Sequence, residues 1–452
     1  MNLFKIIFIT LLIICAGRPS VSSADNAPLS LIRDTEIENI LRSWSNPIFN
    51  AAGLNPDAID IILVQSNAVN AFVAGGSNIF FYTGLINKTE TPGELIGVIA
   101  HETGHITGGH LIKGREALAR ASYESIIGTI LGIGAAIVMG DSMAAPAISL
   151  GGNSIAQRSY LAHSRINESS ADQAALTFLE NAKINPSGMA SFMDKLKADN
   201  YVPENQQSEY VRTHPLVDNR IEALKRRIAS SEYNAVPYPD LWLEQHARMK
   251  AKLSGFINPG QVPWMYDDKD NSISARYARA IAAYRNNNVI DALSKIDALI
   301  ETEPENPYFQ ELKGQMLVDF GKVGQGVKYY KKAIELLPQA SLFRIALAHA
   351  LIESVSNTGN QKEILSEAIK QLKISLKDET RSTRVHRLLA TAYGRLGEEN
   401  SAKLHLAEEA VLQRRLPYAR QHAEHILETE TEGSKLWLKA KDIISFIDTT
   451  KK

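Results

Sequence analysis

The chain has 452 residues, which is too long for one compact core and predicts two or three domains. Hydrophobic residues make up 44% and charged residues 22%, so the composition excludes a disordered chain and a membrane protein with many spans. The formal net charge of −1 gives no basis for binding nucleic acid, and we expect no nucleic-acid partner.

The first element in chain order is a predicted targeting segment. A lysine precedes an apolar run at residues 6–16 that is too short to span a bilayer. Ser22 and Ala24 suit a signal-peptidase cleavage site, so residues 1–24 are predicted to be a cleaved signal peptide, with an uncleaved anchor as the alternative. Cleavage would remove Cys15, the only cysteine, and an exported protein without cysteine fits the bacterial periplasm.

Two β-prone runs appear in the first half of the chain. The runs "AFVA", residues 71–74, and "NIFFYTGL", residues 78–85, flank Gly75 and Gly76, which is the pattern of a hairpin. Helical patterns surround this hairpin. Residues 25–254 are therefore predicted to form one α+β domain, mostly helical with a small sheet.

A helix is predicted directly after the hairpin. Thr91 suits the N-cap, Pro92 suits the first helical position, and Glu94 would complete a capping box. The helix continues through Gly104, which destabilises a helix by about 1 kcal/mol relative to Ala. Either packing elsewhere offsets this loss, or another part of the molecule passes close to the helix at that position.

This helix carries the pattern His-Glu-x-x-His in "HETGH". His101 and His105 lie one turn apart and project from one face, so both imidazoles can bind a single Zn²⁺. Glu102 lies about 100° around the helix from His101, where it can accept a proton from a zinc-bound water without being a ligand. The pattern is specific but not decisive alone, so a third ligand is needed.

A long uncharged segment follows the motif helix. Residues 125–140 contain no charged residue, and only Asp141 interrupts the uncharged stretch up to residue 157. The run is too short for a comfortable membrane crossing. It is either a buried helix with a glycine-rich loop or an apolar flap over the zinc cleft that could contact a membrane or a β-barrel client.

The segment "HSRINESSADQAALTFLENA" supplies the third ligand. Glu168 and Asp172 lie four residues apart on an amphipathic helix, and Glu168 can complete the site while leaving one position open. Asp172 can accept the free N–H of a ligating histidine, for which we favour His101. A solvated acidic helix face is the alternative. His110 and His163 stand five residues from a ligand and are expected to miss the metal. One Zn²⁺ per chain is predicted.

The last part of the chain is a predicted repeat. Residues 255–272 are rich in Gly, Pro, Asn and Asp and are predicted to be a linker. Pro304 and Pro338 are 34 residues apart, the period of a tetratricopeptide repeat. Small and aromatic residues occupy packing positions in two units: Gly314, Gly321, Tyr330 and Ala333, then Ala390, Tyr393, Gly397 and Ala402. Residues 273–448 are therefore predicted to form an all-α solenoid with a concave face for protein, with a plain helical bundle as the alternative.

Three stretches together carry a family resemblance: "GELIGVIAHETGH", "SRINESSAD" and "THPLVDNRI". They resemble the gluzincin metalloproteases of the HtpX, prenyl-protein protease and BepA group, and the added signal peptide and repeats resemble its BepA-like periplasmic members. The likeness covers nearly the whole mature chain. It implies a zinc endopeptidase in the quality control and assembly of outer-membrane β-barrel proteins, with stalled or unfolded barrel proteins as substrates. The repeats are implied to contact the barrel-assembly machinery.

The resemblance implies the same zinc ligands and the same base that the residue pattern predicts. It also draws attention to His214 in "THP", which lies beside the zinc in this group. His214 could occupy the fourth zinc position in a latent state, or it could stabilise the oxyanion during catalysis. Arg220 could pair with a carboxylate of the site or cap a helix.

Substrate binding and two rival functions complete the expectations. An extended peptide is expected to add as a strand to an exposed edge formed by Ala71, Phe72, Val73 and Ala74. The first rival is a non-proteolytic or latent chaperone or scaffold whose zinc is structural. The second is a zinc hydrolase that acts on small amides.

Overall fold

The structure of the protein is a computed structural model that describes residues 30–75, 77–110, 155–203, 206–355 and 360–450. For residues 155–164 and residue 200, only the backbone is described. The predicted signal peptide and all but the last three residues of the apolar segment 125–157 lie outside these ranges. No helix in the described ranges has both the length and the apolar character needed to cross a bilayer.

One mixed sheet lies in the first half of the chain. Its strands are β1 (Ser30–Ile32), β2 (Ile61–Gln65), β3 (Ala71–Ala74) and β4 (Asn78–Tyr82). They are ordered β1-β2-β4-β3, with β2 and β4 parallel and the other two pairs antiparallel. The antiparallel pairing of β3 with β4, in which Ala71 opposes Phe81, confirms the predicted hairpin. It also puts β3 at one edge of the described sheet.

The side chains on both sides of β4 are buried, which explains why the sequence of this strand is a continuous apolar run. Ile79 and Phe81 point into the main core, which the sheet shares with the surrounding helices. Phe80 and Tyr82 point to the opposite face, where the ring of Phe72 stacks on Phe80 at 4.9 Å between centroids.

Nine helices accompany the sheet in the described residues up to 272. They are α1 (Thr35–Ala51), α2 (Thr83–Lys88), α3 (Pro92–Thr107), α4 (Ile155–Asn181), α5 (Ser187–Leu196), α6 (Glu209–Thr213), α7 (Asp218–Ala229), α8 (Asp240–Ile257) and α9 (Val262–Met265). Short 3₁₀ turns occupy Pro56–Ala58, Lys197–Tyr201 and Pro259–Gln261. Helix α3 is the central one, because it packs against α1, α4 and α5 and is buried along most of its length.

Glycines let α3 approach its neighbours closely. A Cβ atom on Gly104 would lie 2.6 Å from the carbonyl oxygen of Ala171 on α4, and one on Gly97 would lie 2.7 Å from the Cα of Met189 on α5. Gly104 therefore serves close approach to α4, which is one of the two explanations that the sequence leaves open.

The start of α3 largely follows the predicted capping pattern. Thr91 is the N-cap, its hydroxyl accepts from the backbone N–H of Glu94 at 3.4 Å, and Pro92 opens the helix. The carboxylate of Glu94, however, accepts from the N–H of Glu90 rather than closing the predicted box on Thr91. Lys195 of α5 also binds this carboxylate, at 2.9 Å, so tertiary contacts compete with the local motif.

The segment 255–272, predicted as a linker, contains ordered structure. It includes the end of α8 and the short helix α9, and Val262 is buried against Ala251 and Ala278. The difference arises because single turns leave no periodic pattern in a sequence, whereas one buried side chain is enough to dock them.

Ten helices follow one another in the described residues after 272. They are α10 (Ile273–Arg285), α11 (Val289–Thr302), α12 (Pro307–Asp319), α13 (Val323–Leu336), α14 (Ser341–Ser354), α15 (Gln361–Ser375), α16 (Thr383–Leu396), α17 (Glu399–Leu412), α18 (Leu416–Thr429) and α19 (Lys435–Thr450). Each packs against the next in sequence, as in a solenoid. A Cβ on Gly314 of α12 would lie 3.0 Å from the ring of Tyr330 on α13, which is the small-against-aromatic contact that the repeat pattern predicts. The small sheet with many helices, followed by stacked helices, confirms the predicted fold class.

The two parts of the chain meet in a buried charge cluster. Lys252 of α8 lies 2.7 Å from a carboxylate oxygen of Asp34 and 3.1 Å from one of Glu36. The hydroxyl of Tyr277 on α10 donates to the same Glu36 carboxylate at 2.9 Å. All of Lys252, Glu36 and Tyr277 are less than 5% exposed, so helices from both parts are held around one set of charges.

Candidate metal centre

Three separate elements bring the predicted ligands together. His101 and His105 lie on α3, Glu168 lies on α4, and His214 follows α6 directly as its C-cap residue. The close contact of α3 with α4 at Gly104 brings Glu168 next to the two histidines, although they are more than sixty residues apart in sequence.

The ligand atoms have the spacing of a metal site. His101 Nε2 lies 3.1 Å from His105 Nε2 and 3.3 Å from Glu168 Oε2, and His105 Nε2 lies 3.3 Å from Glu168 Oε1. Two atoms bound tetrahedrally to zinc, each at about 2.0–2.1 Å, lie about 3.3 Å from each other. The two imidazoles and the carboxylate therefore fit one zinc ion.

His214 joins the same group. Its Nδ1 lies 3.3 Å from His101 Nε2 and 3.2 Å from Glu168 Oε2, and the four ligand atoms are all within 4.8 Å of one another. Its Nε2 lies 3.6 Å from an oxygen of Glu102. The structure thus brings His214 within ligand distance of the centre.

Glu102 carries the strongest sign of an additional bound group. Its side chain is 1% exposed, and neither carboxylate oxygen has a hydrogen-bond partner among the described residues. Burial raises the pKa of Glu102, while the imidazoles of His214 and His101 partly oppose this effect. Buried polar atoms in proteins are almost always paired, so an unpaired carboxylate beside converging ligands fits a site built around metal and water.

Asp172 and Arg220 support the centre from behind. Asp172 Oδ1 lies 2.9 Å from His101 Nδ1, in a contact whose angle departs from that of an ideal hydrogen bond. Arg220 binds Asp172 through Nε at 2.7 Å and Nη2 at 2.9 Å, and its Nη1 lies 3.1 Å from Glu168. Of the two roles predicted for Arg220, the structure has the pairing with carboxylates.

The pKa values of the two histidines on α3 are shifted in opposite directions. Burial lowers the pKa of His101, but Asp172 and Glu168 raise it more, to about 10, so a zinc ion would have to displace a proton from this ring in order to bind it. Burial lowers the pKa of His105 to about 3, with the neighbouring His101 and His214 acting in the same direction. Burial raises the pKa of Glu168, but the surrounding histidines lower it by more, so that it lies well below its usual value. This carboxylate therefore stays ionised, as a metal ligand requires.

His110 stands outside the ligand group. His110 Nδ1 lies 3.0 Å from His105 Nδ1, on the side of that ring opposite the nitrogen that faces Glu168. It therefore contacts a candidate ligand without joining the group, as expected. The side chain of His163 lies outside the described residues.

The first residue of the predicted edge strand, β3, lies beside the metal centre. The carbonyl oxygen of Ala71, at the start of β3, lies 3.4 Å from His214 Nε2. Along the strand, Phe72 is half-buried, whereas Ala71, Val73 and Ala74 are buried. The strand is predicted to be an exposed edge: it does lie at the edge of the described sheet, but three of its four side chains are buried.

Sequence reasoning missed Tyr210. Its ring lies 4.6 Å from that of His214 between centroids, is 1% exposed, and also contacts Phe192. Burial raises the pKa of Tyr210 well above its usual value, and the Glu102 carboxylate adds to this effect. The only signal in the sequence is a spacing of four residues before His214, which needs the α6 helix to acquire meaning.

Comparisons with known proteins match the part of the chain that contains this centre. Residues 32–228 match Peptidase family M48, and this range holds all the predicted site residues. The chain is 23% identical over 397 residues to the "Beta-barrel assembly-enhancing protease" of Escherichia coli (strain K12), covering 86% of this chain and 78% of that protein. It is also 23% identical over 338 residues to the protein of the same name from Yersinia pestis, covering 72% and 68%.

Among solved structures, the similarity is low. A thermophilic TPR protein of Thermus thermophilus is 16% identical, with a TM-score of 0.28, covering 38% of this chain and 99% of that one. The repeat assignment itself rests on the consecutive packing of helices α10 to α19.

Proposed function

We propose, from the match of residues 32–228 to Peptidase family M48 and the geometry of the centre, that the chain is a zinc-dependent endopeptidase. The observation that carries the proposal is a buried, unpaired Glu102 carboxylate next to three ligand atoms at tetrahedral spacing. His101, His105 and Glu168 would hold the ion, one per chain.

Each side chain of the centre has a defined task. A bound zinc ion supplies Lewis-acid polarisation of the scissile carbonyl and lowers the pKa of water to about 7. Glu102, whose pKa is raised by burial, accepts the proton of the attacking water and later donates it to the leaving amine. Asp172, held by Arg220, fixes the orientation of the His101 ring.

We further propose that His214 holds the enzyme in a latent state. Its Nδ1 is as close to the ligand atoms of His101 and Glu168 as another ligand of the same ion would be. His214 would therefore occupy the coordination position that the substrate needs. The other role open to it, support of the oxyanion, would require this ring to swing away from the ligands. The ring of Tyr210, whose centroid lies 4.6 Å from that of His214 at an angle of 35°, would resist that movement.

Substrates are proposed to be extended segments of unfolded protein. The edge strand β3 begins beside His214, and pairing with an edge is read through the backbone, so it tolerates many sequences. The names of the two relatives support β-barrel proteins as the clients. With outer-membrane barrels as clients, the compartment would be the periplasm, in agreement with the predicted signal peptide. The helical repeats would bind such clients or the barrel-assembly machinery.

A second candidate function is favoured by one observation. Four ligand atoms within 4.8 Å also fit a closed, structural zinc site, which would make the chain a non-proteolytic chaperone or scaffold. The two candidates differ in whether Glu102 matters for peptide-bond cleavage.

The test compares wild type with Glu102→Gln on an unfolded outer-membrane β-barrel protein. We expect the variant to keep its zinc and bind the client, but to cleave it about 10²–10⁴-fold more slowly because the general base is lost. Glu222→Gln, an exposed change on α7, is the matched control and should cleave like wild type. Equal cleavage by Glu102→Gln would refute the assigned base, and no cleavage by any form, including His214→Ala, would favour the scaffold.

A further inference from the structure

A second group of potential metal ligands lies far along the chain, within the helical repeats. His386 lies on α16, and His405 and Glu408 lie on α17. The spacing of three residues puts His405 and Glu408 on the same face of α17, where both meet His386 across the helix pair.

The three ligand atoms converge on one point. His386 Nδ1 lies 3.2 Å from His405 Nδ1 and 3.0 Å from Glu408 Oε2, and His405 Nδ1 lies 2.9 Å from that same oxygen. These separations are close to the spacing of about 3.3 Å between atoms bound tetrahedrally to zinc. They are also close to those of the centre on α3 and α4.

The two histidines are within hydrogen-bonding geometry of each other, but hydrogen bonds do not account for the carboxylate between them. Glu408 Oε2 is buried and has no hydrogen bond of acceptable angle among the described residues, although two ring nitrogens lie within 3.0 Å of it. His386 and His405 are 5% and 8% exposed, and the ring of Tyr393 stacks on His405 at 5.7 Å. The rings are thus held in positions where their nitrogens face each other without being aligned on the carboxylate.

Cationic neighbours leave this point accessible to a metal. Lys439 Nζ lies 3.6 Å from Glu408, but at the other carboxylate oxygen, Oε1. Arg387, the nearest arginine along α16, is paired with Glu409 at 2.7 Å. The side chain of Glu408 is 25% exposed, so solvent can reach a fourth position.

We propose that His386, His405 and Glu408 form a second metal site, which takes a divalent transition-metal ion of the zinc type and joins α16 to α17. Two imidazoles and one carboxylate suit zinc, copper or nickel rather than calcium or magnesium, which prefer oxygen ligands. Because the ligands come from the two helices of one repeat, the ion stabilises the packing of that repeat in the way that ligands stabilise folded states.

The experiment measures zinc per chain by mass spectrometry of the full-length protein after zinc loading and dialysis against metal-free buffer. We expect His405→Ala to hold about one zinc ion fewer than wild type, with client cleavage unchanged. His349→Ala, which removes a histidine of α14 outside the cluster, is the matched control and should keep the wild-type zinc content. Equal zinc in wild type, His405→Ala and His349→Ala would overturn the proposal.

A folding control and the number of zinc ions bound by wild type make the result interpretable. If circular dichroism shows that His405→Ala does not fold, Glu408→Gln, which keeps the shape of the side chain, is measured instead and should show the same loss of zinc. A fall from about two zinc ions to one supports both sites, whereas a fall from about one to none supports this site and contradicts the zinc centre of the proposed protease.

Discussion

At the scale of single residues, the centre combines a strongly paired carboxylate with an unpaired one. Asp172 is bound by two nitrogens of Arg220, whereas Glu102 has no hydrogen-bond partner among the described residues. An unpaired buried carboxylate destabilises a folded protein unless its environment supplies a compensating contact. The fold keeps Glu102 in this state, which is the arrangement expected of a base that acts on a bound water.

Replacing His214 distinguishes the two roles open to it. If its Nδ1 occupies the corner needed by substrate, as its 3.2–3.3 Å distances to the other ligand atoms suggest, His214→Ala should cleave an unfolded client faster than wild type. An increase of about tenfold in rate would correspond to a free energy of roughly 1.4 kcal/mol by which His214 disfavours substrate binding at that position. The initial rate of client cleavage is the measurement, and a variant that is slower than wild type would instead indicate support of the transition state.

The local part of the centre could be predicted from sequence, and the long-range part only partly. The spacing of His101, Glu102 and His105 fixes their relative directions because one helical turn spans 3.6 residues. Glu168 could be proposed only because a zinc site with two histidines needs a third ligand and because a helical pattern contains a suitable carboxylate. Tyr210 was missed because its contact with His214 depends on how α6 docks, which no local spacing encodes.

At the scale of elements, the centre depends on how closely α3 and α4 approach. Gly104 directly precedes His105 and permits the contact with Ala171, which lies one turn after Glu168 on α4. The same contact therefore sets the distance between the ligands on the two helices. Helix propensity alone would disfavour glycine at this position, so its presence is explained by packing.

Gly104→Ala should therefore disturb both stability and metal binding. The added Cβ would lie 2.6 Å from the carbonyl oxygen of Ala171, so the helices must separate, and overpacking of this kind typically destabilises by about 1–3 kcal/mol. Gly394→Ala on α16, where a Cβ would meet nothing within 4 Å, is the matched control and should be neutral or slightly stabilising. Urea unfolding and zinc affinity are the measurements, and equal values for both variants would contradict the close-approach explanation.

Elements were predicted well where a periodic or capping pattern extends over several residues. The hairpin of β3 and β4 and the N-cap at Thr91 follow from such patterns. Two other features do not follow from such patterns, because a contact with another element decides each of them. The carboxylate of Glu94 binds Lys195 of α5 as well as the N–H of Glu90, and α9 docks against α8 and α10.

At the scale of the whole molecule, the part of the chain before residue 273 and the helical repeats after it are joined by charges as well as by apolar packing. Lys252 balances Asp34 and Glu36, and Tyr277 of the repeats binds Glu36. Burial lowers the pKa of Lys252, but the surrounding carboxylates raise it well above its usual value, so it stays charged. A salt bridge between Arg33 and Glu379, at 2.6 Å, adds a more exposed contact between the same two parts.

Removing the buried cation should loosen this junction. Lys252→Met leaves Asp34 and Glu36 without their counter-charge, and breaking a buried pair in this way typically costs about 3–5 kcal/mol. We expect a lower unfolding midpoint in urea, with separate transitions for the two parts. Lys328→Met, at a position of α13 away from this cluster, is the control and should change stability by less than about 0.5 kcal/mol. Unchanged, single-step unfolding of Lys252→Met would show that the cluster does not hold the parts together.

The central claim is that His101, His105 and Glu168 hold one catalytic zinc ion. A crystal structure of the zinc-loaded protein, with anomalous scattering measured on both sides of the zinc absorption edge, tests it most directly. The account predicts a zinc peak bonded to both imidazole Nε2 atoms and to the Glu168 carboxylate, with Glu102 outside the ligand set. Density at this position without zinc anomalous signal, or a zinc ion that Glu168 does not contact, would contradict it.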